Sequence, residues 1–444
     1  MTQLRVRATT TDWREHYKSR LSTAEEVITH VKSGDRIWLS TGQRAPALMT
    51  ALLGRALELE NVEVKTLPGQ DIGFYNDIFH GHVDINVLYA GPFSRDAVNQ
   101  GHADYTPWWV YGAHKALDDG RDDALPIDVA MISVSPPNEN GYCCFGNTLW
   151  DAKVTAGQAG LVFAEVNTNL IRTFGDSWIH VSEIDWFVEN SPPPPEMSWA
   201  YAETDPWDRP IAEYVASLVK DGDTIQIGTG STTGAIPRLG VLDDKQDLGY
   251  FSELTVPGTI DLVKKGIITS RRMNTHPGKF VTTVAGNGAD DLAFINENPM
   301  FEFYGVDYIH NPAAIGRNDN MVAINNAITT DLTGQIGASH MGARAYSGTG
   351  GHLSYAMGAF LSKGGRYICV LPSTARGGTV SRIVAELPPG QIVTVPRDIA
   401  DYVVTEYGIA RLMNRSERQR AEELISVAHP DFRADLRKAF AKRR

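Results

Sequence analysis

Val31-Lys32-Ser33-Gly34-Asp35-Arg36-Ile37-Trp38-Leu39-Ser40-Thr41-Gly42 returns 188 residues later as Val219-Lys220-Asp221-Gly222-Asp223-Thr224-Ile225-Gln226-Ile227-Gly228-Thr229-Gly230. Seven of the twelve positions are identical. A spacing this long is too large for a solenoid unit and marks two copies of one domain. In each copy a short apolar run follows Gly-Asp and ends in a segment of hydroxyls and glycine. That pattern predicts a strand running into a loop, where open α/β sheets bind ligands. The repeat by itself suggests two equivalent ligand sites.

Outward from the repeat, both copies alternate helices and strands. Ser22 and Thr23 before Ala24-Glu25-Glu26 predict a capped helix start, and Val27, Ile28 and Val31 have helical spacing. Strands are expected at 36–39, 61–67, 85–89, 129–134 and 160–166, with a helix over 47–57. The second copy predicts a helix over 211–220, a strand over 224–227, a loop over 228–233, a helix from Gly234 and a strand over 250–254. Strands alternating with helices imply a largely parallel sheet. Ser191-Pro192-Pro193-Pro194-Pro195 cannot lie in a helix or a central strand. The expected organisation is a first domain over 1–190, a proline-rich linker over 191–205 and a second domain over 206–444. The charged stretch 416–442 is expected to be helical and to pack on the second half.

Composition bounds the chemistry. The chain has 444 residues, 42% hydrophobic and 21% charged, with a net charge of -12. These are ordinary globular values, and the acidic balance argues against a general nucleic-acid binder. Three cysteines, two of them adjacent (Cys143, Cys144), give neither a disulfide framework nor metal-ligand spacing. Scattered histidines offer no metal set, so no metal is expected. The Met1 end has no apolar signal-peptide core, and no apolar run is long enough to span a bilayer. A cytoplasmic protein without a membrane partner is expected.

Four constellations could carry chemistry. Gly228-Thr229-Gly230-Ser231-Thr232 lies between a predicted strand and helix; it suits either an anion cradle or a tight turn. It is neither a Walker A loop nor a dinucleotide fingerprint. Ser347-Gly348-Thr349-Gly350-Gly351-His352 could present an amide to an oxyanion, or be a glycine turn. Ser373-Thr374-Ala375-Arg376 follows an apolar run and suits a phosphate or carboxylate. Glu253 stands at a predicted strand end, where a carboxylate can act as nucleophile or base. Glu406 is the competing acid. Trp108-Trp109 read as a core filler or a pocket wall.

Further segments carry a resemblance over nearly the whole length. They are Val403-Val404-Thr405-Glu406-Tyr407-Gly408-Ile409-Ala410, Ala428-His429-Pro430-Asp431-Phe432-Arg433, Ala103-Asp104-Tyr105-Thr106-Pro107 and Asn318-Asp319-Asn320-Met321. With them the chain resembles the acetyl-CoA hydrolase/transferase family, most closely its 4-hydroxybutyrate and butyryl-CoA:acetate CoA-transferases. The resemblance implies two related open α/β domains of the CoA-transferase superfamily with the active site between them. It implies acyl-CoA and short carboxylic acids as substrates, coenzyme A as the group carried, and a homodimer or homotetramer. It places the catalytic glutamate on Glu253 and an oxyanion amide on Gly351. Coenzyme A contacts fall on Gly228, Thr229, Gly230, Ser231, Thr232, Ser347, Gly351 and Arg376. Substrate contacts are expected from Gln43, Gln70, Trp108 and His310. A family asparagine is His310 here, and His352 and Ser354 also depart from the pattern, which puts the shape of the acyl pocket in question. The implied reaction moves coenzyme A between carboxylates through a glutamyl anhydride and a glutamyl-CoA thioester. Acyl-CoA hydrolysis is the neighbouring activity, and a non-catalytic coenzyme A sensor is the alternative of a different class. The 188-residue offset places Lys65 opposite Glu253, so the chemistry is expected from the second copy alone.

Overall fold

The structure, a computed structural model, describes residues 12–40, 45–67, 73–112, 114–193 and 203–442. The chain forms two compact units, Met1–Pro195 with Leu292–Asp307, and Glu196–Asp291 with Tyr308–Arg444. The excursion Leu292–Asp307 is tied into the first unit by its strand Phe301–Phe303, which pairs in parallel with Phe174–Gly175. The Val306 amide also donates to the Trp150 carbonyl at 3.0 Å.

The first unit is built on a parallel sheet. Its order is Trp186–Glu189, Leu161–Val166, Val129–Val134, Arg36–Leu39, Val62–Thr66, Val83–Val87 and Asp104–Tyr105. Every residue of Val129–Val134 is buried, as a strand covered on both faces requires. One face carries Leu48 and Leu52 from the helix Pro46–Arg55 and Val27 and Ile28 from Ala24–Ile28, against Ile37, Val64 and Ile85. Burying each such side chain contributes roughly 1.5–3 kcal/mol.

Six strands of the second unit repeat that order. They are Tyr402–Thr405, Arg366–Val370, Met321–Asn326, Thr224–Ile227, Gly249–Phe251 and Phe280–Thr282, all parallel. Gly408–Arg411 adds an antiparallel edge. The order reverses between Thr224–Ile227 and Met321–Asn326, and such a switch point opens a crevice at the strand ends. The terminal helices Glu417–Val427 and Pro430–Ala441 pack here, with the Thr405 hydroxyl donating to the Val427 carbonyl at 2.6 Å.

Two expectations need correction. Arg36 and Ile37 pair with Glu63 and Val64, whereas Thr224 and Ile225 pair with Gly249 and Tyr250. The neighbouring strand is therefore reached two residues sooner in the second copy. Lys65 corresponds to Phe251, and Leu67, not Lys65, corresponds to Glu253. The helix expected from Gly234 begins at Ser231. Gly230 turns the chain at φ +147°, and the Thr233 hydroxyl bonds back to the Gly228 carbonyl at 2.6 Å, which lets it sit inside the helix. Among the described residues no helix is long and apolar enough to cross a membrane.

Candidate active site

Glu253 stands two residues beyond the strand Gly249–Phe251. Its carbonyl accepts the Thr283 and Val284 amides, each at 3.1 Å, and the Thr282 hydroxyl at 3.1 Å. Tyr250 stacks on Phe280 at 4.1 Å, and its hydroxyl donates to the Leu254 carbonyl at 2.8 Å. The main chain is therefore held on both sides of the carboxylate.

Two groups converge on one oxygen of that carboxylate. The Gly351 amide donates to Glu253 Oε2 at 3.1 Å. His310 Nε2 lies 3.3 Å from the same oxygen. Gly351 caps the helix His352–Leu361, so the partial positive charge of a helix N-terminus also faces the carboxylate. Glycine is required by close approach here. A Cβ at 351 would stand 2.5 Å from Glu253 Oε2 and 2.3 Å from His310 Cε1.

The surroundings are buried, and among the described residues no charged group pairs with the carboxylate; the His310 beside it is neutral. The His310 side chain is fully buried, and the Glu253 side chain is only 17% exposed. Burial pushes His310 down to about 3, so the ring is neutral and Nε2–H is the donor form that suits Glu253. Burial pushes Glu253 up to about 7, partly offset by the Gly351 amide. His352, the first residue of the helix, is also buried neutral, pushed down to about 3 and bonded to the Tyr367 hydroxyl at 2.5 Å. Tyr355, one turn after Gly351, is fully buried with its ring edge-on to His310 at 5.6 Å. A carboxyl pushed up to about 7, with Oε2 held by the Gly351 amide and Oε1 bonded to nothing among the described residues, has an oxygen that can act as a nucleophile.

Glu406, the competing acid, is occupied. Its two oxygens accept the Ser373 amide at 2.8 Å and the Ser373 hydroxyl at 2.5 Å. It joins two strand ends and offers no free oxygen on that side.

The loop after Thr224–Ile227 is shaped by two residues that sequence reasoning passed over. Asn325 exchanges two hydrogen bonds with Gln226, at 2.9 and 3.1 Å. Asn326 Nδ2 donates to the Thr229 carbonyl at 3.0 Å and to the Thr233 hydroxyl at 2.7 Å. A Cβ at Gly228 would stand 2.4 Å from Asn325 Oδ1, and one at Gly230 would stand 1.7 Å from Asn326 Nδ2. Both glycines are thus needed for this clamp across the switch point. The available signal was the polar pair closing the apolar run Met321–Ile324. Thr229 and Ser231 are exposed, and Thr232 is buried.

The remaining candidates are dispersed. Ser347 is half-buried, and its amide donates to the Ser339 carbonyl at 2.9 Å. Arg376 is exposed at φ +50°, in the turn between Thr374–Ala375 and Val380–Ser381. Trp108 belongs to the first unit, its ring 6.4 Å from Trp38. Gln43 and Gln70 lie outside the described residues. Among the described residues no group of three metal-ligating side chains forms.

Comparison with known proteins bears on this geometry. Residues 5–195 match the acetyl-CoA hydrolase/transferase N-terminal domain, and residues 288–440 match the C-terminal domain of the same description. The chain is 41% identical to the 4-hydroxybutyrate coenzyme A transferase of Clostridium kluyveri, over 97% of this chain and 100% of that one. It is 34% identical to the butyryl-CoA:acetate CoA-transferase of Anaerostipes caccae, over 96% of each. The crystal structure of RipA from Yersinia pestis superposes with a TM-score of 0.90 at 32% identity, covering 98% of this chain and 99% of that one.

Proposed function

The chain belongs to the acetyl-CoA hydrolase/transferase family and is an enzyme of the CoA-transferase type, and from that premise we propose that Glu253 carries coenzyme A between two short carboxylic acids in a ping-pong reaction. The supporting observation is the held carboxylate, with Oε2 bound by the Gly351 amide and 3.3 Å from His310 Nε2, and Oε1 left to attack.

In the first half-reaction Oε1 attacks the thioester carbonyl of the donor acyl-CoA. The C–S bond breaks, leaving a mixed anhydride and coenzyme A thiolate. The thiolate attacks the glutamyl carbonyl. The anhydride C–O bond breaks, the donor acid leaves as carboxylate, and Glu253 carries coenzyme A as a thioester. The acceptor carboxylate attacks that thioester and the two steps run in reverse. No net proton is consumed.

Each part of the site has a task in this scheme. When the glutamyl carbon is attacked, Oε2 becomes the oxyanion, already facing the Gly351 amide and His310 Nε2. Such preorganised donors stabilise charge where it develops. Burial keeps water from the anhydride. Ser347, Arg376 and the segment Gly228–Thr232 are assigned to coenzyme A, and binding energy from that remote group offsets distortion at the thioester. Trp108, Gln43 and Gln70 remain assigned to the acyl side. The acids are of the kind named in the relatives, 4-hydroxybutyrate, butyrate and acetate.

Hydroxylamine trapping tests the scheme. After incubation with butyryl-CoA and no acceptor, the label is expected on the peptide containing Glu253. A label elsewhere, or full transfer by Glu253→Ala, would remove the assignment.

A further inference from the structure

The first unit holds a cavity of about 220 Å³ on one face of its sheet, toward the strand starts. Its walls include Ile37, Trp38, Lys65, His114, Leu117 and Leu125. None of the residues assigned to the transfer reaction lines it. The volume corresponds to roughly seven waters.

Among the charged residues lining it, Lys65 alone lacks an ion pair, and behind the wall the buried Asp151 accepts the Trp38 indole N–H at 2.9 Å. Arg36 pairs with Glu63 at 3.3 Å. Asp123 is held by Arg121 through two bonds, at 2.8 and 2.5 Å. Lys65 makes no ion pair among the described residues; its ammonium lies 5.6 Å from the Trp38 ring centroid. A cation over an indole face retains donors for a further partner.

A second group stands beside that cation. His114 is 5% exposed, with its ring 4.6 Å from that of Trp38. His114 Nε2 lies 3.1 Å from the Thr155 hydroxyl, while Nδ1 is buried without a hydrogen-bond partner among the described residues. A buried polar atom in this state takes an ordered water or a ligand as its partner. With the Thr155 hydroxyl donating to Nε2, Nδ1 carries the hydrogen. Burial and the Lys65 charge both oppose a second proton, pushing His114 down to about 4.

We propose that this cavity is a second ligand site, for a small monocarboxylate bound by the Lys65 ammonium and the His114 Nδ1–H with its hydrocarbon tail against Leu117 and Leu125. One free cation and one neutral donor suit a singly charged carboxylate, and the apolar walls suit a short alkyl chain. The site is independent of the scheme for Glu253. The enzyme's own acids are of this class, so the site can register their concentration.

The test is imidazole-detected NMR of the full chain labelled with 15N-histidine, with the His114 signal assigned by its loss in His114→Gln. Butyrate is expected to shift that signal saturably, and neutral butyramide is not. Lys65→Met is expected to weaken the effect at least ~10-fold, with Lys65→Arg retaining it. Glu253→Ala is expected to leave it unchanged, which separates this site from the catalytic proposal. An unmoved His114 signal, an equal response to butyramide, or undiminished binding in Lys65→Met would overturn the proposal. The butyramide comparison needs no variant and stands even where Lys65→Met does not fold.

Discussion

Burial pushes Glu253 up to about 7, with no cation paired to it among the described residues. In the proposed scheme the free enzyme holds it ionised to attack, so kcat/KM is expected to rise with pH and level off above about 7. A flat profile from pH 5.5 to 8.5 would contradict this, and the measurement is transfer from butyryl-CoA to acetate. The same shift couples to folding. The folded value lies above the ordinary 4.5, so protonation is the form that folding favours. That contribution is complete below pH 4.5 and is lost as pH rises through 7; the buried anion then costs about 3 kcal/mol. Glu253→Gln is therefore expected to raise the melting temperature at pH 8 and to change it little at pH 4.5, while transfer falls by several orders of magnitude and coenzyme A binding survives. Gly351→Ala acts through space rather than backbone angle. Its methyl would displace Glu253 and His310, and a loss of ~10²–10³ in kcat is expected, as for removal of one oxyanion donor.

At the scale of elements, the loop after Thr224–Ile227 depends on the neighbouring strand. Asn326 joins the Thr229 carbonyl to the Thr233 hydroxyl, and it crosses the switch point to do so. Asn326→Ala is expected to raise the KM for acyl-CoA several-fold while a glutamyl adduct still forms at saturation. An equal loss at saturating acyl-CoA would instead place Asn326 in the chemistry. Glu406 links Val403-Val404-Thr405 to Ser373 through both oxygens. Glu406→Gln is expected to lower thermal stability by about 1–3 kcal/mol, because it leaves one Ser373 donor unmatched. Trapping at Glu253 is expected to persist in that variant, and its loss would reopen the choice between the two acids.

For the molecule as a whole, the duplicated strand order does not make the two copies chemically equal. The first copy has Leu67 where the second has Glu253 in the sheet register. Water is the competing acceptor for any anhydride or thioester the enzyme forms. Coenzyme A release from butyryl-CoA is expected to depend on added carboxylate, and the comparison of acid-dependent transfer with acid-independent release checks it. Rapid release without acceptor would make the enzyme a hydrolase. A screen over acetate, butyrate, 4-hydroxybutyrate, succinate and itaconate would read the acyl preference directly.

Local chemistry alone carried the repeat, the alternating helices and strands, and the candidacy of Glu253 and of the glycine loop 347–352, within which the family resemblance singled out Gly351. Apolar periodicity, glycine-rich ends and a carboxylate at a strand end are written in neighbouring residues. The family resemblance rested on the same kind of local segments. Tertiary structure decided what depends on contacts between distant segments. A connection shorter by two residues moved Lys65 out of register with Glu253, and no pattern within either strand records that length. The glycines at 228 and 230 proved necessary for Asn325 and Asn326, nearly a hundred residues away. His310 and Gly351 meet on one oxygen of Glu253 only because three separate segments converge there, and the burial that pushes this carboxyl up to about 7 exists only once they have closed around it.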